Sequence, residues 1–93
     1  MQLFYYIMVD PDKPSRCKLG ITRNPQQRIR AYKTANPQCY FFSLYEIPDS
    51  QHERRILFLL KERFVVRREY VHCRPELVKN IVESYFLDNS IVY

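Results

Sequence analysis

One glycine stands in this chain of 93 residues, and it lies inside a strand-like run, Cys17-Lys18-Leu19-Gly20-Ile21-Thr22. Glycine weakens the interior of a strand, because it loses the most backbone entropy and brings no side chain to pack. Its use there is to let another backbone, a side chain or a ligand come close, a bulge being the competing explanation. The run before it, Leu3 to Val9, is aromatic and β-branched and reads as a strand buried on at least one face. Between the two lies Asp10-Pro11-Asp12-Lys13-Pro14-Ser15, a concentrated turn signal, so the chain opens with a hairpin whose loop exceeds the minimal two residues.

Asn24-Pro25 then starts a helix: Asn caps free amides, and Pro is preformed for the first helical position. That helix, Pro25 to about Thr34, must end before Asn36-Pro37, since the residue ahead of proline avoids the α region. Cys39 to Ile47 reads as a third strand. Pro48-Asp49-Ser50 opens the longest helix, to about Phe64, with Ile56, Leu60 and Phe64 at helical spacing on its buried face. A short strand is expected around Glu69 to His72, and Pro75 starts a last helix to about Phe86. The tail Ser90-Ile91-Val92-Tyr93 is apolar enough to pair with a sheet edge or a partner. The expected fold is α+β, one domain over residues 1–93, with a small three-stranded, mostly antiparallel sheet flanked by helices in the order ββαβα(β)α.

Bulk properties bound the function. Hydrophobic residues at 46% and charged residues at 27% are a globular balance, which argues against disorder. The formal charge of +5 suits a polyanionic partner, though a merely basic soluble surface has the same composition. Cys17, Cys39 and Cys73 stand far apart with no C-x-x-C pair, which disfavours a zinc knuckle or redox motif and points to reduced, semi-buried fillers. No stretch approaches the roughly 18 apolar residues of a membrane span, and the N-terminus lacks the basic and long apolar regions of a signal peptide. An intracellular, soluble protein of cytoplasm or nucleus is expected, with no membrane partner.

Phosphodiester cleavage needs an activated oxygen nucleophile, a cation for the pentavalent phosphate and a metal to offset charge. The residues suited to this chemistry fall on separate elements: Tyr6 on the first strand, Lys18 and Gly20 on the second, Arg28 on the first helix, Glu53 on the second helix. Taken together, Phe4-Tyr5-Tyr6-Ile7-Met8, then Cys17-Lys18-Leu19-Gly20-Ile21-Thr22, then Asn24-Pro25-Gln26-Gln27-Arg28-Ile29-Arg30, resemble the GIY-YIG nucleases. The likeness is to the small phage and viral branch whose second motif reads Lys-Ile-Gly. Asn36-Pro37 and Glu69-Tyr70 extend it along most of the chain.

That resemblance implies a GIY-YIG-like fold and a metal-dependent DNA endonuclease. Tyr6 takes the place of the tyrosine that activates or orders the attacking water. Arg28 would hold the scissile phosphate, which its planar fork suits better than lysine would. Glu53 would hold a single Mg2+ or Mn2+, completed by water and phosphate oxygens. Gly20 would give the strand room beside the site. Tyr5, Tyr32 and Glu69 are supporting candidates, and Arg23, Arg30, Lys33, Arg67 and Arg68 are candidates for DNA contact. Two departures stand out. Lys18 replaces the second-motif tyrosine, where it can neutralise phosphate charge or aid proton transfer if burial lowers its pKa. Tyr32 replaces the histidine that some members carry.

Each residue has a plainer role as well. Tyr6 could be a core tyrosine and Arg28 a solvated helix arginine. Ser50-Gln51-His52-Glu53 has the pattern of a capping box, in which Glu53 would bond back to the Ser50 amide. His52 and His72 read as surface residues. The alternatives to a nuclease are a catalytically weakened DNA-binding module of the same fold, or a protein-interaction domain using its tail as an added strand. A module this small carries no visible sequence-reading domain, so specificity would come from DNA shape, a homodimer or a partner protein.

Overall fold

A computed structural model describes residues 2–93. Strand β1 (Leu3–Val9) and strand β2 (Cys17–Thr22) form an antiparallel hairpin, in register from Phe4 opposite Thr22 to Val9 opposite Cys17. Asp10 braces the loop between them, its carbonyl accepting from the Lys13 amide and its carboxylate from the Asp12 amide. Helix α1 (Pro25–Ala35) begins as its sequence dictates, with Asn24 Oδ1 accepting from the Gln27 amide at 3.1 Å. It stops just ahead of Pro37, where Asn36 is extended. Strand β3 (Tyr40–Ile47), helix α2 (Gln51–Lys61), strands β4 (Val66–Arg67) and β5 (Tyr70–Val71), and helix α3 (Pro75–Asp88) follow.

The sheet has five strands in the order β3-β1-β2-β5-β4, all pairs antiparallel, where three strands were expected. The element order is therefore ββαβαββα. The extra hairpin spans only two residues per strand and is rich in arginine, so it offers no alternation to read. It exists because β5 pairs onto β2, with Cys17 opposite Val71 and Lys18 opposite Tyr70. Its tip turns at Arg68, whose φ of 57° is a left-handed conformation that a non-glycine residue adopts at a cost of about 1 kcal/mol or more.

The period-two alternation of β1 splits the core unequally. Leu3, Tyr5, Ile7 and Val9 face α2 and α3, in a cluster with Leu19, Tyr45, Ile56, Leu60, Val71, Val78, Val82 and Phe86. Tyr6 and Met8 face the other way, where only Cys39 is also buried and Ile29, Tyr32 and Phe41 pack partly against them. Helix α1 covers this second face without a fully buried residue of its own. Its docking thus rests on few apolar contacts, and it belongs to the less stable part of the molecule.

Several expectations change in three dimensions. The tail adds no strand: Ile91 is buried, and the Tyr93 ring packs edge-on against Tyr45 at 5.1 Å and tilted on Phe86 at 5.4 Å. Helix α3 ends in a Schellman turn with Ser90 at φ 57°, the Ile91 amide donating to the Phe86 carbonyl at 2.8 Å. His52, read as a surface residue, is buried, its Nδ1 lying 2.7 Å from the Tyr85 hydroxyl. The three cysteines are buried and free. No helix among the described residues is long and apolar enough to cross a membrane.

Candidate active site

The lone glycine is explained by Tyr6. The two residues are directly opposite in the β1–β2 ladder, and the register runs through them unbroken, so Gly20 is not a bulge. Its φ is not positive, so backbone freedom is not its use either. A Cβ at this position would lie 2.6 Å from Tyr6 Cζ and closer still to the phenol oxygen. The Tyr6 ring thus lies across the face of Gly20, and only glycine leaves it room. Tyr32, on α1, meets the same phenol, with the two hydroxyl oxygens 3.0 Å apart, and Phe41 packs on the ring at 5.2 Å between centroids. Burial, the Tyr32 hydrogen bond and the Tyr32 charge together push the Tyr6 phenol well above its ordinary pKa, with the Arg28 guanidinium pulling the other way.

Lys18 lies on the same face, two residues before Gly20. Its ammonium is 3.2 Å from Glu69 Oε2, 4.4 Å from the centroid of the Tyr32 ring and 5.3 Å from that of Tyr70. Burial pulls its pKa down, but the contacts with Tyr32 and Glu69 outweigh burial and hold it above the ordinary lysine value. Of the two roles open to Lys18, the raised pKa favours charge neutralisation over proton transfer. Glu69 owes its place to the left-handed turn at Arg68, and the Leu19 amide donates to its carbonyl at 3.0 Å.

Beyond Leu19, β2 has no strand on its outer side, since β5 pairs only with Cys17 and Lys18. Gly20 to Thr22 therefore have no strand beside them on that side, although Gly20 and Thr22 are themselves buried, and groups from both faces of the sheet come within electrostatic reach there. Arg28 is exposed on α1, and its charge acts on both Tyr6 and Glu53. Glu69 acts on both as well. The Glu53 carboxyl is partly buried; burial and the Glu69 charge raise its pKa, while Arg28 lowers it.

The capping box expected of Ser50 and Glu53 is not formed. Ser50 supplies no side-chain cap, and the first free amide, that of Gln51, donates instead to Asp49 Oδ1 at 3.0 Å. The Glu53 amide, which the box would join to the Ser50 hydroxyl, donates instead to the Ser50 carbonyl at 3.3 Å. Among the described residues no three His, Cys, Asp or Glu side chains gather in one place. A divalent cation at Glu53 would then rest on a single protein carboxylate and complete its shell with water and phosphate oxygens, a mode that suits Mg2+ or Mn2+.

The remaining candidates divide. Tyr5 lies on the far face of the sheet, fully buried and edge-on to Phe86, away from Tyr6 and next to Glu53. Arg23, Arg30 and Lys33 are exposed on or just before α1, and Arg67 and Arg68 are exposed at the tip of the β4–β5 hairpin. One residue escaped the sequence reading. Arg16 stacks its guanidinium on Tyr70 at 4.1 Å, and Tyr70 thereby stands between Arg16 and Lys18. The Glu69-Tyr70 pair was visible in sequence. Its pairing with the strand that carries Lys18 was not, because that contact spans about fifty residues of chain.

No curated protein and no solved structure gives a significant match to the chain. The T5orf172 domain matches it over residues 3–86, from the first residue of β1 to the last turn of α3, and so takes in every group described above. The chain belongs to the T5orf172 domain family.

Proposed function

We propose that this phage-associated domain is a metal-dependent DNA endonuclease module of the GIY-YIG type. One observation carries the reading. Arg28, exposed on α1, is within electrostatic reach both of the buried Tyr6, which is hydrogen-bonded to the partly buried Tyr32, and of the partly buried carboxylate of Glu53 on α2. Both residues border the half of β2 that has no further strand beside it, Arg28 sharing a surface cavity with Thr22 and Glu53 one with Leu19.

In this reading Arg28 holds the scissile phosphate and stabilises the charge that grows on it. Lys18, kept charged by Glu69 and Tyr32, offsets phosphate charge from the strand side. The Tyr6 phenol stays protonated, so it orders the attacking water by hydrogen bonding with Tyr32 and does not serve as a phenolate base. Gly20 keeps the ring in that pose. Glu53 carries the cation, which when bound supplies Lewis-acid stabilisation and a more acidic water. Specificity would come from DNA shape, a second copy of the chain or a partner protein.

A second reading, a DNA-binding module with weakened turnover, draws on the same geometry. Tyr32 already occupies the Tyr6 hydroxyl, and Lys18 is already paired with Glu69. The two separate in one experiment. Supercoiled and branched DNA are incubated with the protein with and without Mg2+ or Mn2+, alongside Arg28→Ala and Glu53→Ala. The endonuclease reading expects metal-dependent cleavage by the wild type and a loss of at least about 100-fold in either variant. Cleavage by neither wild type nor variants, with binding that weakens steeply in salt, assigns the binding module.

A further inference from the structure

Arg16 takes no part in the reading above. It is half-buried, its guanidinium stacks on the Tyr70 ring at 4.1 Å, and among the described residues no carboxylate comes within ion-pair distance of it. A guanidinium held by its face keeps its N–H donors, which lie in its plane, for another partner. The Nε is sealed inside the protein without one, so the terminal nitrogens are the donors left to a ligand.

Arg16 lines a cavity of 100 Å³ together with Met8, Asp10, Lys18 and the rings of Tyr32 and Tyr70. Lys18 is already paired with Glu69, which does not line the cavity, and the Asp10 carboxylate accepts from the Asp12 amide in the loop. The cation there without a carboxylate partner is therefore Arg16. The volume is that of about three waters, at roughly 30 Å³ each, which admits a phosphate group and excludes a nucleoside. Tyr32 also borders the cavity of Arg28, with Thr22, Asn24 and Gln27. Two arginines thus serve neighbouring cavities that share one tyrosine. A lone small anion would fill one of them, whereas a polymer of regularly spaced phosphates fills both at once.

We propose that Arg16, supported by Tyr70, binds a second phosphate of the DNA strand whose scissile phosphate Arg28 holds. The inference rests on the reading of Arg28 as a phosphate-binding residue. Contacts of this kind fix the register of the strand on the protein and carry no base preference, so they show in affinity and salt dependence.

Fluorescence anisotropy of labelled duplex DNA, without divalent metal and over a range of salt, tests it on the wild type, Arg16→Met, Arg28→Ala and Lys61→Met. Methionine keeps an apolar stem against Tyr70 and removes the charge. Lys61, exposed at the end of α2, controls for net charge alone. Arg16→Met should lower the slope of log K against log salt by about 1 and weaken binding at low salt by about tenfold, and Lys61→Met should leave the slope unchanged. A slope for Arg16→Met equal to that of the wild type overturns the role of Arg16, and leaves Arg28 standing where Arg28→Ala lowers it. An equal fall in Lys61→Met assigns the effect to net charge and overturns the role as well. A wild type without salt-dependent DNA binding, or an unchanged slope in Arg28→Ala, overturns the reading of Arg28 and this inference with it. Two-dimensional NMR of the tyrosine rings needs no variant: DNA should shift the Tyr70 and Tyr32 signals together, and a Tyr70 signal unmoved by saturating DNA overturns the proposal.

Discussion

Replacing Gly20 by alanine is the sharpest test of how this site is built. The added methyl would sit 2.6 Å from Tyr6 Cζ and 3.1 Å from Cε2, against a normal carbon contact of about 3.5–4.0 Å. The ring must therefore move by roughly 1 Å. It is poorly placed to do so, being 1% exposed and held by Phe41 on one side and by the Tyr32 hydroxyl on the other. Overpacking of this kind costs about 1–3 kcal/mol, and the entropy gained by removing a glycine returns about 0.4–1 kcal/mol. A net loss of about 1–2 kcal/mol follows, which for a domain of this size lowers Tm by roughly 5–15 °C. Cleavage should fall further than stability, since a shift of about 1 Å in a catalytic group can cost on the order of 100-fold. Circular-dichroism melts and plasmid nicking read the two effects. Tyr6→Leu should relieve the clash, so Gly20→Ala in that background should lose less stability than in the wild type. An alanine variant as stable and as active as the wild type would refute the account of Gly20.

Alkaline pH should unfold the protein early. Burial pushes the Cys17 thiol up to about 12, so the unfolded chain releases that proton near pH 9 while the folded one retains it, and stability falls as pH rises between the two. By pH 10.5 this group alone removes about 2 kcal/mol, and the buried phenols of Tyr5, Tyr6 and Tyr45 act in the same direction at higher pH; a Tm unchanged between pH 7.5 and 10.5 would contradict this. Ser90→Gly should stabilise by about 0.5–1 kcal/mol in urea denaturation, because Ser90 holds a left-handed φ that glycine adopts freely. A midpoint no higher than that of the wild type would count against the strain. If Arg67 and Arg68 track phosphates, each alanine substitution should lower the slope of log K against log salt by about 1, with no change in Tm beyond relief or loss at the turn. An unaltered slope would remove the β4–β5 tip from the DNA surface.

What could be read in the sequence was whatever local chemistry decides. Asn24-Pro25 fixed where α1 starts and Pro37 where it must have stopped, because capping and the proline ring act within a few residues. The hairpin of β1 and β2 followed from an apolar run, a turn cluster and a second run. The β4–β5 hairpin was only half legible, since two-residue strands carry no period and depend on a partner far along the chain. Local signals misled at Ser50 and His52. The capping-box pattern at Ser50 makes no side-chain cap, and the polar His52 is buried with its ring nitrogen against the Tyr85 hydroxyl.

The candidate residues could be named from the sequence, but their arrangement could not. Sequence alone named Tyr6, Lys18, Gly20, Arg28 and Glu53. Adjacent residues of a strand point to opposite faces, so only the sheet could place Tyr6 with Tyr32 and leave Tyr5 on the other side with Glu53. Only the tertiary structure could bring Glu69 to Lys18, where the contact helps to raise the lysine's pKa. The physical reason is one of range. Caps, turns and periods act over a few residues, whereas pKa values, cavities and the space above a glycine are set by neighbours the chain reaches only after it has folded.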